Sequence, residues 1–287
     1  MPLCFSPAHT HNPDKNTQED MLVSSETLFG ILTTSILGFL FNLYAASLTK
    51  QQTNVKHPLL LKFTGTNAPV YTWLLSAVLS GSIYPTLYVL AMYYTGSAGR
   101  AEWLYGTDGR PLSEPGQDLQ CMKYIFYIFF GYLVRDLPKC IDNPLFVAHH
   151  CACMAGIVST LETTSPGAVS GTHGIIFLEL GSFYFNVWSV DDVMRHHPQH
   201  FPWWPQWQGP WIAWGYYSML SLSNFISGYF LYNSAVASFQ HGYTGFGSWS
   251  LVSGTPLLIL RQYEVYKAMR GINKKPTMLK EDLDALK

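Results

Sequence analysis

Two long stretches without charge constrain this chain more than any other feature. Between Lys62 and Arg100, and again between Arg195 and Arg261, no Lys, Arg, Asp or Glu occurs. Each gap exceeds the roughly 20 apolar helical residues that cross about 30 Å of hydrocarbon. The whole chain is 12% charged, where a soluble domain carries roughly 25%. The expected class is therefore an all-α, polytopic membrane protein. The 17 Lys and Arg nearly cancel the 18 Asp and Glu, so no global field exists to attract nucleic acid.

Apolar runs place candidate spans at 27–48, 69–95, 122–138, 144–161, 168–190, 210–237 and 246–266. About seven transmembrane helices are expected. The third run contains Lys123, Arg135 and Asp136, and the fourth begins beside Pro144, so a five-span alternative folds these two into a re-entrant hairpin. Lys50, Lys56, Lys62, Arg135, Lys139, Arg195 and the basic residues from Arg261 onward fall on one side, and only Lys15, Arg100, Arg110 and Lys123 on the other. Because cytoplasmic loops carry the excess of Lys and Arg, the C-terminus is expected in the cytosol and the N-terminus in the lumen. Residues 1–24 form a polar N-terminal segment without the basic start and apolar run of a cleavable signal. The first span and its loop occupy 25–59, and a polar tail follows at 271–287.

The stretch from Gly96 to Cys121 carries Gly, Pro and acidic residues and is expected as an exposed lumenal loop. Trp203, Trp204, Trp207, Trp211 and Trp214 are expected to form an interfacial aromatic belt before the sixth span, with a sugar-binding platform as the alternative. The five cysteines are scattered without CxxC spacing, so neither a disulfide nor a cysteine metal site is expected.

Ionisable groups inside spans cost at least about 2.5 kcal/mol on insertion scales and mark functional sites by default. Glu179 lies near the centre of the 168–190 run, with Ser182 and Asn186 on the same helical face. The His149–His150 pair opens the fourth span at a depth expected to match Asn186, with Glu179 deeper and Asp136 near the same end of the third span. These groups can relay protons or activate a nucleophile, since imidazole titrates near neutrality and a carboxylate fixes its tautomer. Asp136 beside Arg135 is explained equally by an ion pair. Asn186, Asn224 and the serines Ser221, Ser223 and Ser227 fit interhelical hydrogen bonding, and His173 fits a satisfied interface residue. The run His196, His197 and His200 is one box of the kind used by di-iron membrane oxygenases, which need several such boxes. No metal is expected.

The stretch from Asp136 through FVAHH (Phe146 to His150) to IIFLELGSFYFNVW (Ile175 to Trp188) resembles the TLC domain. That family includes the ceramide synthases, the translocon-associated TRAM proteins and the neuronal-lipofuscinosis ER protein. The likeness is greatest to the small TLC-domain-containing proteins and covers roughly residues 60–270. It implies six helices in a barrel around a polar tunnel, here preceded by one further span. It also implies an endoplasmic-reticulum or other endomembrane location and a role in sphingolipid, ceramide or phospholipid homeostasis. On that resemblance His149 and His150 become nucleophile or general base of a lipid N-acyltransferase, with Asp136 orienting an imidazole and Glu179 as a further acid. Ser182, Asn186 and Asn224 would line the tunnel. Acyl-CoA enters as co-substrate with no tightly bound cofactor, and the expected partners are membrane lipids and a second copy of the chain. The chain departs from the synthases where they carry His-Asp followed by another Asp, since Leu178, Glu179 and Leu180 stand there. The alternative is a non-catalytic lipid-binding or sensing protein, or an ER cargo receptor.

Overall fold

The computed structural model describes residues 23–50 and 69–270, apart from 107, 140, 142–143, 197, 199–200 and 206. Within them the chain is all-helical: α1 Ser25–Lys50, α2 Val70–Val78, α3 Tyr84–Tyr105, α4 Gln117–Asp136, α5 Pro144–Glu162, α6 Ala168–His196, α7 Gly209–Gln240 and α8 Thr244–Met269. Every expected apolar run coincides with helix. Two stretches, Ser25–Tyr44 and Val70–Ser97, are long and apolar enough to cross a membrane, where seven were expected. Helix α4 falls below that apolarity because it carries Asp118, Lys123, Arg135 and Asp136. Nearly all of the polar segment 1–24 and the whole tail 271–287 lie outside the described residues.

The second run is one bent element, because α2 passes into α3 through a π-helical turn, Leu79–Ile83. Pro85 at the start of α3 explains the turn: it offers no N–H, and its ring collides with the carbonyl four residues back, that of Gly81. An extra residue in the turn relieves the clash. Gly81 also lets the Phe183 ring approach, since a Cβ there would come within 2.4 Å of that ring.

Lipid offers no hydrophobic gain for joining helices, so close approach of small residues must do it. On α1, Gly30, Thr34 and Gly38 recur every four residues and face α4. A Cβ at Gly30 would meet the Tyr127 ring at 2.7 Å, and one at Gly131 would meet the Thr34 carbonyl oxygen at 2.5 Å. Thr34 Oγ1 donates to the Tyr127 carbonyl at 2.6 Å and Asn42 Nδ2 to the Arg135 carbonyl at 3.0 Å. The register 34 to 127 and 42 to 135 makes the two helices parallel. Helices α6 and α7 are antiparallel: Ser165 bonds Ser238 at 2.8 Å, Ser170 donates to the Phe230 carbonyl at 2.9 Å, and Gly167, Gly174 and Gly181 admit the backbone and side chains of α7. The outward faces are apolar, with Phe29, Ile36, Phe39, Leu43, Phe225, Val252 and Ile259 all exposed. Exposed apolar faces of this kind mark membrane- or protein-interaction surfaces.

The Gly96–Cys121 stretch is more structured than expected. Gly96 adopts φ +77°, which only glycine takes readily, and helix resumes to Tyr105 beyond this kink. Asp108 then accepts bonds from Trp103 Nε1 at 2.5 Å, the Arg110 backbone N–H at 2.9 Å and Arg110 Nη2 at 2.8 Å, while the same Nη2 reaches Asp118 at 2.8 Å. These bonds hold the Asp108 carboxyl below the usual carboxylate range against the opposing effect of burial and raise the Arg110 guanidinium further. The loop is clasped onto α4, and Trp103 and Leu112 beside it are fully buried.

Candidate functional site

The centre of the site is Glu179, midway along α6. The π-helical turn carries Ser80 to it, and Ser80 Oγ donates to Glu179 Oε2 at 3.1 Å. A regular helix through Pro85 would present a different face, so the bulge has a positional consequence.

Opposite stands Arg261 of α8, which the sequence reading had assigned to a cytosolic basic cluster. It is instead inserted among α6 and α7. Its Nη2 donates to the Leu178 carbonyl at 2.8 Å, Nη1 to Ser182 Oγ at 3.0 Å and Nε to Asn224 Oδ1 at 3.0 Å. Asn224 Nδ2 in turn donates to Gln262 Oε1 at 3.1 Å, and Gln262 Nε2 to Ser221 Oγ at 3.1 Å. Gly181 makes room for the guanidinium, since a Cβ there would lie 2.7 Å from Nη2 and 2.1 Å from Ser223 Oγ. Glu179 is the acidic group within electrostatic range of Arg261. A partly buried guanidinium with all three nitrogens hydrogen-bonded meets the requirement for a tolerable ion inside a helix bundle.

Helix α5 brings the histidines alongside. Helices α5 and α6 run antiparallel through a short turn, which sets Cys153 and Glu179 at nearly equal distances from that turn. Cys153 lies within electrostatic range of Glu179, and His149 within that of Arg261. Cys153 Sγ is 3.7 Å from both His149 ring nitrogens. The His149 and His150 rings stand perpendicular with centroids 5.8 Å apart, and His150 is buried. Helix α6 continues to His196 instead of ending near Val190, so the span end from which the depth match of His149 with Asn186 was counted does not hold. Asn186, one and a half to two turns beyond Glu179, donates through Nδ2 to Ser76 Oγ at 2.8 Å.

Glu179, Ser182 and Asn224 are thus brought together by Arg261, with His149 adjacent and Asn186 along the same face. Asp136, at the end of α4, accepts from Arg135 Nη2 at 2.8 Å, which is the ion-pair alternative. Comparison with protein-family models, characterised proteins and solved structures found no match. The TLC likeness therefore rests on the residues themselves.

Three sequence expectations need adjustment. His173 is fully buried with neither ring nitrogen hydrogen-bonded, enclosed by Tyr88, Trp103 and Phe230 at centroid distances of 5.5, 4.9 and 5.2 Å; it is no satisfied interface residue. In the aromatic belt, Trp203, Trp207, Trp211 and Trp214 are exposed, but Trp204 Nε1 donates to Asp191 at 2.9 Å, the same carboxylate that pairs with Arg195 at 2.7 Å. Ser227 Oγ has no hydrogen-bond partner, so it does not provide the interhelical bond expected of it. His197 and His200 lie outside the described residues.

Proposed function

We propose that this chain is a multi-pass endomembrane protein of the TLC type, its C-terminus cytosolic, that acts in lipid homeostasis by transferring an acyl group from acyl-CoA to a lipid amine. Helices α2–α3 and α4 to α8 are the six elements available for the barrel, with α1 packed outside on α4. The observation that carries the reading is the group of ionisable side chains, Arg261, Glu179 and His149, inside a bundle with an apolar exterior, since such groups are expensive there unless they serve a purpose. In the reaction the thioester C–S bond breaks, an amide C–N bond forms, the CoA thiol leaves, and the amine gives up a proton. His149 accepts that proton as general base and passes it to the departing CoA sulfur. Glu179 and Arg261 set the field around it.

One observation favours a second reading. All three Arg261 nitrogens are engaged by protein acceptors, which suits a cluster that holds helices together around a bound lipid in a sensing protein or cargo receptor. Lipid profiling of cells lacking the protein separates the two. The acyltransferase reading expects a free lipid amine to accumulate and its N-acyl product to fall, with rescue by the intact chain and none by equally abundant His149→Ala or His150→Ala. Equal rescue by the histidine variants contradicts it and favours the binding reading.

A further inference from the structure

Helix α5 carries a nucleophile that the acyl transfer described above leaves unused. His149 and Cys153 stand four residues apart, on one face of the helix. Cys153 Sγ is 3.7 Å from each His149 ring nitrogen, so either neutral tautomer presents an acceptor nitrogen to the thiol. Glu179 of α6 lies within electrostatic range of the thiol and Arg261 of α8 within that of the imidazole, which turns the pair toward the charged centre. Both residues are half-buried, so a substrate can reach them. The neighbouring thiol, Cys151, lies on another face of α5 and is exposed.

A nucleophile beside a base, with further charged groups around the base, is the arrangement that supports a covalent intermediate. The thiolate is the reactive form of cysteine, and a thiol in apolar surroundings keeps its proton. Attack by Cys153 therefore needs a base at the sulfur, and His149 is the base in place.

We propose that Cys153 carries the acyl group as a thioester between its departure from CoA and its arrival on the amine. The proposal rests on the acyltransferase reading and divides that reaction into two steps. In the first, His149 takes the Cys153 proton and the sulfur attacks the carbonyl carbon of acyl-CoA. The C–S bond to Cys153 forms, the C–S bond to CoA breaks, and His149 gives the proton to the leaving CoA sulfur. In the second, the lipid amine attacks the same carbonyl carbon. The C–N bond forms, the C–S bond to Cys153 breaks, and the amine proton returns through His149 to the Cys153 sulfur. Nothing is oxidised or reduced, and the net movement of the proton is still from amine to CoA sulfur. The first step exchanges one thioester for another, so the acyl group stays activated after CoA has left. A water-soluble CoA and a membrane-held amine then never have to occupy the site together.

The test is intact-protein mass spectrometry of the purified chain in lipid nanodiscs, incubated with palmitoyl-CoA and no amine. The chain is expected to gain one palmitoyl group that peptide mapping places on Cys153, that neutral hydroxylamine removes and that a long-chain base discharges as its N-acyl product. Cys151→Ala keeps the adduct. His149→Ala slows its formation at least about a hundredfold, the lower end of what a general base contributes, and Cys153→Ala abolishes both adduct and turnover. Equally fast labelling of Cys153 in His149→Ala is spontaneous acylation and overturns the proposal. Absence of the adduct also overturns it, and amide formed at an unchanged rate by Cys153→Ala does so while leaving the acyltransferase reading standing. An adduct that no amine discharges keeps Cys153 as the acyl acceptor and refutes amide formation instead. The adduct on the unaltered chain carries the test if Cys153→Ala fails to fold.

Discussion

Replacing Arg261 by Met tests the architecture of the site because its consequences are specific. The substitution removes three hydrogen bonds, to Leu178, Ser182 and Asn224. Interhelical bonds inside membranes contribute about 0.6 kcal/mol each and at most about 1.7, so the direct loss is about 2–5 kcal/mol. Glu179 also loses a nearby positive charge, which adds to that loss. Glu179→Gln keeps an acceptor for Ser80 and removes only the charge, which leaves Arg261 uncompensated. In the double variant neither charge remains, so the combined loss is smaller than the sum. A coupling energy of at least about 1 kcal/mol is expected from unfolding in mixed detergent micelles, since residues sharing a network couple by about 0.5–3 kcal/mol. Additivity within about 0.3 kcal/mol would falsify the assignment of Glu179 as the counter-charge.

Gly131→Leu drives a side chain into the Thr34 backbone, where a Cβ alone would approach to 2.5 Å. It should separate α1 from α4, and disulfide trapping between cysteines placed at Thr34 and Gly131-adjacent Phe130 should become slower. Asn186→Leu removes the bond to Ser76 and should cost about 1 kcal/mol in the same unfolding assay, within the range for membrane hydrogen bonds. Asp108→Ala strips the clasp of its central acceptor and leaves the buried Trp103 Nε1–H without one, which should cost about 1–3 kcal/mol. The clasp has an acid signature too: since Asp108 is held below its ordinary value, its contribution is complete above the unfolded carboxylate range near pH 4 and fades as pH falls below it. Limited proteolysis of the 106–116 loop should accelerate only below about pH 4; acceleration between pH 5 and 7 would implicate another group.

The helices were legible because charge-free runs of this length leave few alternatives, and the shared face of Glu179, Ser182 and Asn186 followed from helical spacing alone. Arg261 follows the apolar run Leu257 to Leu260 and falls inside the 246–266 span, so it belongs to the span and not to the basic tail. An arginine inside a span whose neighbouring helix holds a glutamate was the available signal. Ser80 depends on a π-helical turn imposed by Pro85, which no periodicity of 3.6 reveals. The depth match between His149 and Asn186 rests on α6 ending near Val190, whereas helix continues through Asp191 and Asp192 to His196. His173 shows the limit of position alone, since only the packed aromatic rings around it disclose that its nitrogens are unpartnered.

The most direct test of the central claim is acyl-CoA turnover by the purified chain in lipid nanodiscs, supplied with a long-chain base. The account predicts stoichiometric release of CoA thiol with formation of the N-acyl product, and its loss in a folded His149→Ala protein. No turnover by the intact chain, with lipid copurifying equally in both proteins, would contradict it.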